Sequence, residues 1–475
     1  MAKSIKKNFI YNIILNLSKV IFPLITAPYI SRVLEPDGVG LFNFSSTYAS
    51  YFALFAALGV PMYGIREIAK IRDNRQSENK FLSEIISLEL ITTFLCTIIF
   101  VLSVYLIPSL ECNKLLFLVA GIALYITPLK VEWFFSGHED FGYITLRSLL
   151  IKTLSVIALF VFIHRKEDLL TYVIIGTMAI VANEIWNYIK LLHMGYRPYL
   201  TFRVQQHLKP LMILFVSAIA VSIYTMLDTL MLGFISSYDE VGFYNSANHI
   251  AKCMMPIVTS LAAVAMPRLS YYMQKGDWGE INIMLSKSLS VVSFLSFPMV
   301  MITILLAPTF VPLFFGELYI GSILPLQIIV LVVVVIGFNN ITTIQILASL
   351  GYDRPYLYSV LSGTFTNFLL NLFLIPVFGA IGASIASVMA EVVILIVSIA
   401  AVIKHTKVRI RGIKETAISF VLGMLFIPLY LMISSYIKGW WLIIDFSLCA
   451  LIFYFSFQII FRNKIILSSF KLLAR

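Results

Sequence analysis

Lys19 and Lys252 each sit deep inside an apolar run, at 8–30 and 241–266. An ammonium group at the centre of a hydrocarbon layer costs about 3 kcal/mol even on mild insertion scales, so both positions call for a chemical reason. Each lysine has polar companions at helical spacing. Asn12, Asn16, Lys19, Pro23 and Thr26 are separated by 4, 3, 4 and 3 residues, and Asn245, Asn248, Lys252, Pro256 and Thr259 by 3, 4, 4 and 3. Either set occupies one face of a helix. Ammonium groups beside amides and hydroxyls make a surface suited to an anion, phosphate above all, with the amides left for hydroxyl-rich groups. The plainer alternative is an internal ion pair, Asp228 with Lys252 for example, plus helix-to-helix hydrogen bonds.

Other polar residues inside apolar runs are less organised. Asn43, Ser46 or Thr47, and Ser50 share a face in the second run, and Ser217, Thr225 and Asp228 lie in the seventh. Asp228 reads as an ion-coupling carboxylate or as a structural counter-ion. His249 borders the Lys252 face and is a weak candidate for proton chemistry. Glu89, Glu391 and Asp445 lie within apolar runs where no polar face supports them, and Glu132 and Glu184 near inner helix ends read as solvated. Pro23 and Pro256, each four residues beyond a lysine, mark bending points. No P-loop, HExxH or nucleophile–base–acid set is present. No catalytic residue, metal or cofactor is therefore expected, nor a nucleotide as direct driver. The four cysteines, far apart and mostly in apolar segments, read as packing residues.

The elements that must position these faces follow from composition. Sixty per cent of the 475 residues are hydrophobic and 12% charged, with mean hydropathy +0.93. A soluble domain is about half apolar and a quarter charged, so lipid must be the solvent for most of this chain. Inside a bilayer every backbone amide needs an internal partner, which leaves helices or a closed barrel. The runs are about twenty residues long without alternation, so the chain is expected to be an all-α polytopic membrane protein with about fourteen transmembrane helices. The segments fall near 8–30, 39–61, 81–107, 114–135, 143–163, 169–191, 209–235, 241–266, 286–310, 320–347, 357–375, 379–403, 416–436 and 440–461. The basic N-terminus followed by an apolar run reads as a retained first helix rather than a cleaved signal.

With the N-terminus placed in the cytoplasm, 28 of the 35 Lys and Arg residues fall on inner segments, Lys130, Arg147 and Lys152 at 130–152 among them, and 5 on outer loops. That asymmetry is a positive-inside signal and predicts both termini in the cytoplasm. It also accounts for the net charge of +11 without nucleic acid, since the excess lies beside anionic lipid heads. The loops are too short to hold an extramembrane catalytic domain.

An internal repeat organises the helices. Asp37-Gly-Val-Gly-Leu-Phe-Asn43 matches Asp239-Glu-Val-Gly-Phe-Tyr-Asn245, and Ser136-Gly-His-Glu-Asp140 weakly echoes Leu350-Gly-Tyr-Asp-Arg354. Six helices separate the copies, so the halves have the same orientation, as in transporters with parallel repeats. The expected organisation is a six-helix lobe at 1–208, a second at 209–415, and two further transmembrane helices with a tail at 416–475. A substrate path is expected between the lobes.

The stretches FPLITAPYISRVLEPDGVGLFNF (22–44), YGIREIAKIRDN (63–74), VEWFFSGHEDFGYITLRSLLIK (131–152) and LDTLMLGFISSYDEVGFYNSANHIAK (227–252) resemble the polysaccharide transporter family, the Wzx-type flippases of the MOP superfamily. The resemblance covers essentially the whole chain. It implies two six-helix lobes around a central cavity and alternating access. It implies an undecaprenyl-pyrophosphate-linked oligosaccharide as substrate, carried from the inner to the outer leaflet of the bacterial cytoplasmic membrane under an ion gradient. Membrane lipids and glycosyltransferase or polymerase machinery are the implied partners. On that reading Lys19 and Lys252 meet the pyrophosphate, Asn12, Asn16, Asn43, Asn245 and Asn248 meet the sugars, and Asp228 couples the ion. The same fold serves drug/cation antiporters and lipid II flippases. The basic mid-depth charges favour an anionic cargo over a cationic drug, and no cavity arginines of the lipid II type are evident. A polytopic polysaccharide polymerase would carry a large outer loop, which this chain lacks.

Overall fold

The computed structural model describes residues 5–409 and 412–461, apart from the side chains of some residues within the helices, Ser217 and Thr225 among them. The expected apolar segments fall on helix, except that 114–135 is broken into short helical pieces, and the described residues contain no strand. Nine helices among them are long and apolar enough to cross a membrane, with shorter apolar helices at Lys114–Leu129 and Met226–Ile235. Their exposed residues include rows such as Ile10, Ile14, Leu17 and Ile21, which water would not tolerate and lipid does. The chain is a multi-pass helical membrane protein.

In chain order the helices are α1 (Ile5–Ala57), α2 (Val60–Ile71), α3 (Arg75–Leu106), α4 (Phe141–Phe162), α5 (Leu169–His193), α6 (Gln205–Ile235), α7 (Tyr238–Gln274), α8 (Trp278–Phe315), α9 (Glu317–Ala348), α10 (Asp353–His405), α11 (Ile413–Ser434) and α12 (Gly439–Ile460). Short helical pieces fill 108–137. Both double-length helices are broken. α1 turns at Glu35 (φ 60°), just before Pro36, where proline denies its predecessor the helical region. α10 turns at Gly379 (φ 51°).

Packing divides the chain into two compact units, Met1–Phe234 and Ile235–Arg475. In the first, three hydrogen bonds join α1 to α4 and its C-terminal end at a constant offset of 134 residues. Thr145 donates to the Tyr11 carbonyl, Lys152 to Ser18, and the Tyr29 hydroxyl to the Ile163 carbonyl. A constant offset means that α4 runs parallel to the first limb of α1. Beyond the break, Lys166 pairs with Glu35 and Asp37, two acids at the start of the second limb.

An extended segment at 196–201 is strapped along α3. Asn79, Ser83 and Ser87, four residues apart on one face, accept the backbone N–H groups of Arg197, Tyr199 and Thr201. The Tyr196 hydroxyl bonds to buried Glu78; burial first, and then that carboxylate, push its phenol well above the usual tyrosine range. Beside it His207 joins Tyr63 (2.8 Å) and Glu84 (2.9 Å) at an open cleft of about 350 Å³. These contacts fix the start of α6 against α2 and α3.

In the second unit α8 packs on α11 and α12 through Phe294, Leu422, Phe426, Phe446 and Tyr454. The limbs of α10 fold back on one another, with Gly363 so close to Ile394 that an added Cβ would lie 2.3 Å from its Cγ1. Glu240, in the first turn of α7, accepts the Ala380 N–H at 2.6 Å and so caps the second limb. The repeat motifs thus open helices in both units, the second limb of α1 and α7.

Candidate functional site

At about 100° per residue the first limb of α1 sorts its side chains into three faces. Tyr11, Leu15, Ser18 and Phe22 form one, of which Tyr11, Ser18 and Phe22 meet α4. Ile10, Ile14, Leu17 and Ile21 form a second, apolar and exposed. Asn12, Asn16, Lys19 and Pro23 form the third, with both asparagines and the lysine also exposed. The third face lies roughly opposite the second. An apolar row at membrane depth belongs against lipid, so the amide and ammonium row on the far side faces away from it. That row is linked internally. Asn16 donates to Asn12 Oδ1 at 2.9 Å, and Lys19 Nζ donates to Asn16 Oδ1 at 3.2 Å. One of three ammonium donors is used, and no carboxylate among the described residues pairs with Lys19.

A second ammonium, which sequence reasoning missed, stands beside it. The charge count from sequence groups Lys152 and Arg147 with the inner segment 130–152. The structure places both within α4, Lys152 at its middle. Lys152 Nζ donates to Ser18 Oγ at 2.9 Å, lies 5.9 Å from the Phe22 ring centroid, and feels the charge of Lys19. Among the described residues no carboxylate is bonded to it, although the charge of Glu132 also reaches it. Its signal was present in the apolar run beginning at Phe141, which overlaps the stretch treated as loop. Arg147 is different: only 3% exposed, it bonds to Glu132 and donates to Asn183 Oδ1 at 3.1 Å. It ties α4 to α5 and to the turn before α4, as buried arginine pairs do.

The other predicted residues are dispersed. Asn43 is half-buried in the second limb of α1. Asp228, 8% exposed, lies in α6 where its charge reaches Tyr51. In the second unit the α7 row is exposed at Lys252 and Pro256, while Asn248 is 8% exposed. Asn245 donates to its own helix at the Val241 carbonyl, 2.9 Å away. His249 lies beside Lys252, with its Nε2 buried and unpartnered. Asn12, Asn16 and Lys19 are therefore the predicted residues that one unit brings into a single linked row, and Lys152 extends it.

Ammonium groups beside amides and hydroxyls suit an anion such as phosphate, and here they lie on membrane-length helices. The fold is that of the MOP superfamily. The chain superposes on the lipid II flippase MurJ in an inward-closed conformation with a TM-score of 0.68 at 16% identity, covering 93% of this chain and 99% of MurJ. It superposes on an inward-facing multidrug resistance MATE family transporter of that superfamily with 0.60 at 15%, covering 81% and 96%.

The chain belongs to the polysaccharide biosynthesis protein family, which matches residues 5–273. It is 25% identical over 397 residues to the "Putative O-antigen transporter" of Escherichia coli (strain K12), spanning 82% of this chain and 94% of that protein. It is 28% identical over 169 residues to the "Probable flippase AglR" of Haloferax volcanii, 35% of each chain.

Proposed function

We propose that the protein is a flippase, not an enzyme, that carries an undecaprenyl-pyrophosphate-linked oligosaccharide from the inner to the outer leaflet of the bacterial cytoplasmic membrane. It works by alternating access of two six-helix lobes, 1–208 and 209–415, with 416–475 as an appended pair of helices and tail. Both termini lie in the cytoplasm, and an ion gradient drives the cycle. The observation that carries this reading is Lys19 with Lys152: two mid-helix ammonium groups that bond to an amide and a hydroxyl and, among the described residues, to no carboxylate, Lys19 on the side of α1 turned from its apolar face. Such a pair is costly when empty and favourable with a pyrophosphate. Asn12 and Asn16 extend the row toward sugar hydroxyls, and Lys252 with Asn245 and Asn248 supplies the matching row of the second lobe. The relatives named for O-antigen transport and flipping support the cargo class. The paired cations disfavour the drug-exporting alternative, whose cargo is cationic.

The test is reconstitution of the full chain in vesicles with a fluorescent lipid-pyrophosphate oligosaccharide and an impermeant quencher. Wild-type protein is expected to expose the cargo to both leaflets, and Lys19→Ala or Lys152→Ala to lose the activity while inserting normally. Wild-type rates from both alanine variants would refute the assignment.

A further inference from the structure

A buried acid in the second unit remains outside that mechanism. Glu391 lies in the second limb of α10, twelve residues past the Gly379 break, and is only 3% exposed. Among the described residues no cation pairs with it and burial is the one influence on its charge. Its partner is Asn339 on α9, 5% exposed, whose Nδ2 donates both to Glu391 Oε2 and, at 3.0 Å, to the Glu391 carbonyl. The remaining oxygen of each group, Glu391 Oε1 and Asn339 Oδ1, is buried without a donor. Reversing the amide does not help, because it would set Oδ1 against Oε2.

An ionised carboxylate here would be a lone charge in a low-dielectric interior with two orphaned acceptors beside it, an arrangement costing several kcal/mol. One proton removes the charge. It also supplies the missing donor, since a neutral carboxyl and a carboxamide can bond reciprocally, N–H to one oxygen and O–H to the other.

The surroundings offer no substitute. α9 contributes no titratable residue between Ile323 and Ala348. From α7, Glu240 is engaged with Ala380, and Tyr244 meets Ser387 (3.2 Å) one turn before Glu391. Asp239, His249 and Lys252 also lie on the first four turns of that helix, and burial alone accounts for the environment of Glu391 among the described residues. On α10 itself Ser398, two turns beyond Glu391, is bonded to Thr342. Two acceptor oxygens are also too few for a metal cation, which wants about six.

Asn339 ends a regular helix. The next nine residues, Asn340–Ala348, form a π-helical stretch, a geometry that is rare and frequent at functional positions. The Thr342 and Thr343 hydroxyls turn back onto the Asn339 carbonyl. The acid's partner thus sits where the hydrogen-bond register of the helix changes.

We propose that Glu391, paired with Asn339, is a proton-binding site of the second unit. Departure of the proton forces α9 and the second limb of α10 apart, because the packed arrangement accommodates only the neutral acid. The step binds or releases one proton and needs no other reactant. As a coupling device it rests on the gradient-driven flippase reading; as a proton site it does not.

The experiment uses the full chain in lipid vesicles, with infrared detection of protonated carboxyl groups and the flipping assay under an imposed pH gradient. The expected result is a protonated-carboxyl band that disappears in Glu391→Gln and moves in Asn339→Ala, with flipping by Glu391→Gln no longer accelerated by the gradient. A band retained in Glu391→Gln overturns the site. A band lost while the gradient still accelerates that variant overturns the coupling role. Should Glu391→Gln fail to accumulate, an unshifted band in Asn339→Ala overturns the proposal. A wild-type protein that shows the band but flips no cargo sinks the flippase reading alone.

Discussion

Replacing Lys152 with methionine separates a lysine kept for binding from one kept for folding. The two chains have similar length and volume, so the change removes charge with little change in packing. In the empty protein the loss is the hydrogen bond to Ser18 Oγ and the contact with the Phe22 ring. A hydrogen bond to a charged group is worth about 1.5–3 kcal/mol and an exposed cation–π contact about 0.5–1 kcal/mol. Against this stands relief from holding an ammonium at mid-helix, about 2.5–3.5 kcal/mol on insertion scales. The sum is near zero, so thermal stability of the purified protein should change little. A pyrophosphate cargo instead loses a charge-assisted contact with nothing in return, about 1.5–3 kcal/mol or roughly 10- to 100-fold in affinity. Cargo-binding titration and the vesicle assay read that loss, and a melting curve reads stability. A variant that melts far lower yet binds and flips cargo normally would make Lys152 a structural residue and refute the anion-site reasoning.

Arg147→Leu leaves Asn183 Oδ1 without its donor and frees Glu132, whose carboxylate is half-exposed and can be solvated; it should destabilise the first unit by about 1–3 kcal/mol, visible as reduced accumulation, with Arg147→Lys failing to rescue because it lacks the planar fork. Gly363→Ala places a Cβ 2.3 Å from Ile394 Cγ1 and 3.0 Å from the Ala390 carbonyl; it should lower the melting temperature, and adding Ile394→Ala should recover most of the loss. Glu84→Leu removes the acceptor of His207 and Gln206 and should loosen the start of α6, measured as faster amide exchange there at a cost of about 1–3 kcal/mol; unchanged exchange would show that the cluster does not hold that segment.

Much of this molecule is determined by the sequence alone, because its strongest constraint is local. Every polypeptide amide in oil must bond within its own segment, so apolar length sufficed to place α3, α5 and α8. Helical periodicity likewise placed Asn12, Asn16 and Lys19 on one face, since the positions i, i+4 and i+7 meet in any helix. What periodicity cannot register is a contact between helices distant in the chain. Lys152 looked like one more cytoplasmic charge until α4 was seen to run parallel to α1 and bring it to Ser18, 134 residues away. Glu391 looked unsupported because its own helix offers no polar face; its partner Asn339 arrives from another helix, 52 residues earlier. Which charges are solvated, which are paired and which are left with a missing proton is a matter of burial and of cross-helix hydrogen bonds, and those exist only once the helices have packed.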